Sequence, residues 1–180
     1  MVLQDPDSFK GIEPFNYGGR WAGIQNGRFD LQIQGDTHNV QREVQQELSF
    51  STPYYYDGAA YSGNATFVNC AYKQKRYDEC ATLRICVLGT NAFNYVSEHF
   101  SPDFYTDTTS WSHLFELYSN GGCNVIAGDR QATISQMWAA NLTEEYVVGN
   151  ATFTNEPLAI VTRNDESRWS DIINWVMQGA

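Results

Sequence analysis

The sequence predicts an α/β fold with largely parallel sheets. Short apolar segments alternate with amphipathic ones along most of the chain. Several strand-like segments end in a Gly-containing turn that opens a helix, as at Gly89-Thr90-Asn91 and Gly128-Asp129. Hydrophobic residues make up 42% of the 180 residues and charged ones 18%, enough apolar material for a folded core.

The elements follow in chain order. Residues 1–19 are rich in Asp, Pro, Gly and Asn and read as loop. Arg20 to Asn26 forms a short helix closed by Gly27. Phe29-Asp30-Leu31-Gln32-Ile33 alternates apolar and polar residues, as a strand does. Gly35-Asp36-Thr37 turns into a polar helix near 39–47, and the aromatic stretch Tyr54 to Tyr61 reads as strand. Arg84 to Leu88 is a strand, followed by a helix near 92–99. Ser110 caps a helix whose Trp111, Leu114, Phe115 and Tyr118 share one face, and Gly121-Gly122 stops it. Cys123 to Ala127 is a strand, with a helix over 131–140. Tyr146-Val147-Val148 and Pro157 to Thr162 are further strands. A last helix starts near Ser167, with Trp169, Ile172, Ile173 and Val176 on its apolar face.

Charge and motifs exclude several functions. The net charge of −10 repels phosphate backbones, so no nucleic acid is expected as partner. No apolar run reaches the roughly 20 residues that span a bilayer. Gly-x-Ser-x-Gly, Walker-type and His-Glu-x-x-His motifs are absent, and His38, His99 and His113 are dispersed. Glu144-Glu145 are adjacent, so on a strand they face opposite ways and do not form an acid–base pair. No enzyme, metal or cofactor is therefore expected.

Other features suggest a secreted setting. Three Asn-x-Thr sequons occur, at Asn64, Asn141 and Asn150, as in a glycoprotein. Cys70, Cys80, Cys86 and Cys123 form an even set without Cys-x-x-Cys; this allows two disulfides, or four buried thiols. Met1 to Asp7 lacks the pattern of a signal peptide, so if the chain is secreted it is expected to be a fragment or an incomplete gene model.

Six blocks, in order from about residue 20, resemble the type II periplasmic amino-acid-binding proteins, also called family 3 extracellular solute-binding proteins. They are Trp21–Asp30, Asp36–Arg42 with its "T-x-x-x-x-R" loop, Phe50-Ser51-Thr52-Pro53-Tyr54-Tyr55, Ile85–Thr90, Gly122–Asp129, and Glu156–Ala159 with the Trp169–Trp175 tail. The general amino-acid-binding branch is the nearest in flavour, with Cys in the same two second-lobe strands. The resemblance implies a two-lobed type II periplasmic-binding-protein-like fold, with one amino acid bound between lobes joined by two crossover strands. Lobe one would be 1–62 plus 153–180 and lobe two 63–152. The family's opening strand–helix–strand has no counterpart, so lobe one is truncated at its N-terminus. The ligand-stacking aromatic of lobe one has only Tyr17 or Trp21 as candidates. The second-lobe turn reads Gly-Thr-Asn where the family has Gly-Thr-Thr.

The same resemblance implies a site. Arg42 would clamp the ligand carboxylate with its planar fork. Thr37, Gly35 and the amides near Thr90 and Asn91 would share that anion, the latter at a helix start. Asp129 would accept from the ammonium. The expected function is extracytoplasmic amino-acid binding, as the solute-binding component of a transport system. The expected partners are the small-molecule amino acid and a membrane transporter or receptor, and the expected state is a monomer. Alternatives are the ligand-sensing domain of a receptor, a lyase (dehydratase) on the same scaffold, or a remnant that binds nothing. The cysteine positions predict Cys86–Cys123, in two strands that would be neighbours, and Cys70–Cys80, flanking a short polar connection.

Overall fold

The computed structural model describes residues 11–13, 19–140 and 146–179. Along the chain, α1 (Arg20–Gln25) and α2 (Val40–Gln46) precede β1 (Leu48–Phe50), β2 (Tyr55–Asp57) and β3 (Ala59–Asn64). Next come α3 (Ala65–Tyr72), β4 (Ile85–Leu88), α4 (Thr90–His99), β5 (Tyr105–Thr108) and α5 (Trp111–Ser119). The order closes with β6 (Val125–Asp129), α6 (Arg130–Ala139), β7 (Tyr146–Val148), β8 (Glu156–Leu158), β9 (Val161–Arg163) and α7 (Ser167–Gln178).

The chain divides into two compact units, one of Met1–Tyr56 with Pro157–Ala180 and one of Asp57–Glu156. The lobe boundaries expected from sequence lie further along the chain at the first crossing and earlier at the second. The first difference comes from β3, which is paired with β6 from Ala59 to Gly63 and with β7 from Ser62 to Asn64. The second comes from Phe153 and Thr154, which hydrogen-bond to Ala59, so both stretches belong with the second unit. The chain crosses the boundary on β2 and β8, which pair with each other.

In the first unit, β1 and β9 pair antiparallel, Leu48 opposite Arg163 and Phe50 opposite Val161. Ile24, Leu48, Phe50, Ala159 and Val161 form its buried core, with Trp21 and Phe29 packed against it. Helix α1 ends where Gly27 takes φ +71°; a Cβ there would lie 2.6 Å from Nη1 of Arg163. Helix α2 starts at Asn39, whose side chain accepts from the Arg42 amide at 2.8 Å.

The segment Phe29–Ile33, expected as a strand, makes one antiparallel bridge, Gln32 with Val161. Its expected apolar side is not covered to the end, since Ile33 is 65% exposed. The stretch Tyr54–Tyr61 is divided at Gly58, where a Cβ would meet the Thr154 carbonyl at 2.3 Å. Strand 157–162 is likewise divided into β8 and β9. On α7, Ile173 is buried but Val176 is 55% exposed, so the expected apolar face is only partly used.

The second unit holds a five-stranded sheet in the order β5-β4-β6-β3-β7. Strands β5, β4 and β6 are parallel, whereas β3 pairs antiparallel with both β6 and β7, so the sheet is mixed rather than largely parallel. Alternate residues serve alternate faces. Ile85, Val87, Val125 and Ala127 join Tyr61, Val68, Leu83, Val96 and Phe100 in one core. Cys86 and Ile126 join Leu114 and Cys123 in the other, beneath Trp111 and Phe115. Disulfides link Cys70 to Cys80 and Cys86 to Cys123, in the predicted pairing.

Candidate ligand-binding loops

The Gly35-Asp36-Thr37 loop of the first unit is fastened to the chain entering β9. Thr37 bridges Leu158, the His38 amide donates to the Pro157 carbonyl at 2.8 Å, and the Ala159 amide donates to the Asp36 carbonyl at 3.1 Å. The Asp36 side chain turns inward and is fully buried. Gln32 Nε2 donates to its Oδ2 at 2.5 Å, and Arg20 Nε lies 3.0 Å from its Oδ1. Burial pushes the Asp36 carboxyl above its ordinary range; the Gln32 hydrogen bond and the Arg20 and Arg42 charges oppose that push.

Arg42 sits in the first turn of α2, with Nη1 donating to the Thr37 carbonyl at 2.6 Å. Its guanidinium carbon lies 5.6 Å from the centroid of the Trp21 ring, and that of Arg20 lies 4.3 Å from it. Aromatic faces attract cations at such distances. Thr37 is buried and Gly35 exposed. Gly35, Thr37 and Arg42 therefore belong to one loop–helix corner, and Trp21 supports the arginine. Tyr17, the other aromatic candidate, lies outside the described residues, as do Asn141 and Glu144-Glu145.

In the second unit the parallel register Val87 with Ala127 brings the carboxyl ends of β4 and β6 to one edge. Thr90 and Asn91 open α4 there, after Gly89 at φ +99°. Asp129 ends β6 at the same edge, directly before α6. Such edges, where helix N-termini gather, are where open α/β sheets place ligands. The Asp129 side chain forms no capping bond to α6. The Gln131 amide is instead met by Asp57 Oδ2 at 3.4 Å, and the Arg130 amide donates to the Gly58 carbonyl at 3.0 Å. Thr133 Oγ1 donates to the Asp129 carbonyl at 2.8 Å. Trp111 walls the edge, 3.3 Å from where a Cβ on Gly128 would stand.

The Arg20–Asp36–Gln32 cluster and Asp57 were not singled out from sequence. Their partners are distant in the chain, and no local spacing marks them. His38 stacks on Phe50 at 4.9 Å between ring centroids, and His99 stacks on Tyr95 at 4.0 Å. Among the described residues, no group of three or more His, Cys, Asp or Glu is placed to hold a metal ion. A depression of about 230 Å³ in the first unit is lined by Gln25, Glu47, Arg163, Asn164 and Asp165, none of them an expected ligand residue. Among the described residues, no helix is long and apolar enough to cross a membrane.

No family model matches the chain. The chain is 24% identical over 179 residues to the general L-amino acid-binding periplasmic protein AapJ of Rhizobium johnstonii, covering 97% of this chain and 51% of that protein. It is equally similar, with the same coverage, to the glutamate/glutamine/aspartate/asparagine-binding protein BztA of Rhodobacter capsulatus. It thus spans about half the length of these relatives. Among solved structures, an ancestral arginine-binding protein bound to glutamine superposes with a TM-score of 0.72 at 20% identity, covering 93% of this chain and 72% of that one. The GluR0 ligand-binding core with L-glutamate does so at 0.71 and 17%, covering 91% and 72%. At these identities the structural likeness shows the fold, that of the two-lobed binding proteins, of which the chain covers a part.

Proposed function

We propose, for a chain whose homologues are the amino-acid-binding periplasmic proteins, that it binds an amino acid outside the cytoplasm and serves a transport system as a solute-binding component. Both named relatives are binding proteins rather than enzymes. The observation that carries the proposal is the match to AapJ across 97% of the chain. The chemistry agrees with it. The first unit offers a guanidinium set by the Thr37 carbonyl and the Trp21 ring, suited to a carboxylate. The second offers a carboxylate at a strand end, suited to an ammonium. Gly35, Thr37, Thr90 and Asn91 supply hydrogen bonds around these charges, the ligand is held without turnover, and the working partner is a membrane transporter.

Thermal shift with the twenty amino acids tests this. A ligand at 100 times its Kd adds about 2.7 kcal/mol of apparent stability. For a chain of this size that raises Tm by about 5–10 °C. Arg42→Lys loses most of the shift, because an ammonium does not reproduce the bidentate fork. Asp129→Asn loses it by removing the counter-charge. No shift with any amino acid in a folded protein would overturn the reading; a shift that survives both substitutions would place the site elsewhere.

A further inference from the structure

The two sequons that the structure describes, at Asn64 and Asn150, are far apart in sequence yet lie at the two ends of one strand. Asn64 ends β3 in register with Tyr146, the first residue of β7. Asn150 follows Val148, the last residue of β7, by two positions. Strand β7 is an outer strand of the five-stranded sheet. The two asparagines therefore bracket one edge of that sheet, one at each end of a three-residue strand.

Both are accessible. Asn64, Thr66, Asn150 and Thr152 are all exposed. Asn64 caps α3 through its Oδ1, which accepts from the Thr66 amide at 3.1 Å. Glycosylation takes place on Nδ2, so the cap and the modification use different atoms. Around Asn150 the backbone is anchored on both sides, by the Gly149 amide on the Tyr61 carbonyl and by Tyr72 Oη on the Ala151 carbonyl. The side chain thus projects from a fixed turn. The two disulfides, both in this unit, belong to an oxidising compartment.

We propose that Asn64 and Asn150 carry N-linked glycans that shield the β7 edge. In the transfer, Asn Nδ2 forms a bond to the anomeric carbon of a polyprenyl-diphosphate-linked oligosaccharide. The anomeric C–O bond breaks, polyprenyl diphosphate leaves with the electron pair, and the amide nitrogen gives up one proton to base. An outer strand presents unpaired N–H and C=O groups to other chains, and bulky hydrated groups at its ends oppose that pairing. Val147, 40% exposed at the middle of β7, is the apolar residue they would flank.

The test uses the protein from its own cells. Peptide:N-glycosidase in heavy-oxygen water converts each glycosylated Asn to labelled Asp, read by peptide mass spectrometry. Conversion at both Asn64 and Asn150 is expected; conversion at neither, or at one alone, overturns the bracketed edge. Thr66→Ala and Thr152→Ala, made in those cells, each remove the mass of one glycan, and Thr66→Ala leaves the Asn64 cap in place. The enzymatically deglycosylated protein is expected to form concentration-dependent oligomers in light scattering while its amino-acid thermal shift is unchanged. A deglycosylated protein that stays as dispersed as the native one overturns the shielding role. Because the glycan readout needs no ligand, it stands apart from the test of amino-acid binding.

Discussion

Arg20 and Asp36 show how much a single pair determines. Arg20 is 6% exposed and Asp36 fully buried, so solvent screens neither charge. Removing one partner of such a pair typically costs about 3–5 kcal/mol, because the other charge is left buried. Arg20→Met is expected to destabilise the protein by that amount in urea unfolding; a change near zero would show that the pair carries little. The pH dependence has a definite sign. The folded Asp36 carboxyl is raised above its ordinary 3.8, so its contribution to stability is fully present below that value and falls as pH rises through the folded value. Arg20→Met removes one of the charges opposing the rise and extends this window upward. Asp36→Asn removes the titration, and a pH profile unchanged by it would contradict the assignment. Arg42 was singled out in sequence through its loop, and the structure adds that the Thr37 carbonyl and Trp21 hold it. The Asp36 cluster was not legible, because Arg20, Gln32 and Asp36 come together only once the loop is tied to the chain entering β9.

At the scale of elements, the two disulfides fasten different things. Cys70–Cys80 ties α3 to the turn that follows it, with a sequence separation of 10. Cys86–Cys123 ties β4 to the entry of β6, with a separation of 37. In the chain-entropy model, closing loops of these lengths stabilises by about 3 and about 4 kcal/mol respectively. The double variant Cys86→Ala/Cys123→Ala is therefore expected to lose more in denaturant unfolding than Cys70→Ala/Cys80→Ala. The reverse order would mean that packing around the sulfurs outweighs loop closure. Elements with capping chemistry were legible: Ser110 does accept from the His113 amide, and Gly27 does close α1. Those without a periodic signature were not. Strand β1 has three residues, too few for alternation to register. In β5 only Thr108 is buried, so no apolar pattern marks it. Helix α3 opens at Asn64, whose sequon drew attention from its capping role. Phe29–Ile33 erred the other way, with a strand's pattern but a single bridge to pair with.

For the whole molecule, the order of six motifs made a two-lobed fold legible, while the difference between the units in what holds them emerges only from the structure. Among the described residues, the core cluster of the first unit has five buried apolar residues, beside the two-stranded sheet of β1 and β9. The second has fourteen in its main core, a further cluster on the opposite sheet face, five strands and both disulfides. Local opening costs least where few apolar contacts and few paired strands must be broken. Amide hydrogen exchange is therefore expected to be slowest in β4 and β6, whose residues Ile85, Cys86, Val87, Val125, Ile126 and Ala127 are all completely buried. It should be fastest in α2, where no residue is buried and Val40 and Val44 are each 72% exposed. If Arg42 receives a ligand carboxylate, saturating amino acid slows exchange most in the loop and helix over residues 35–46, because that segment has the most opening to suppress. Slowing confined to β4 and β6, with 35–46 unaffected, would mean that the first unit takes no part in binding. Equal protection of both units without ligand would mean that the smaller core is not the weaker one.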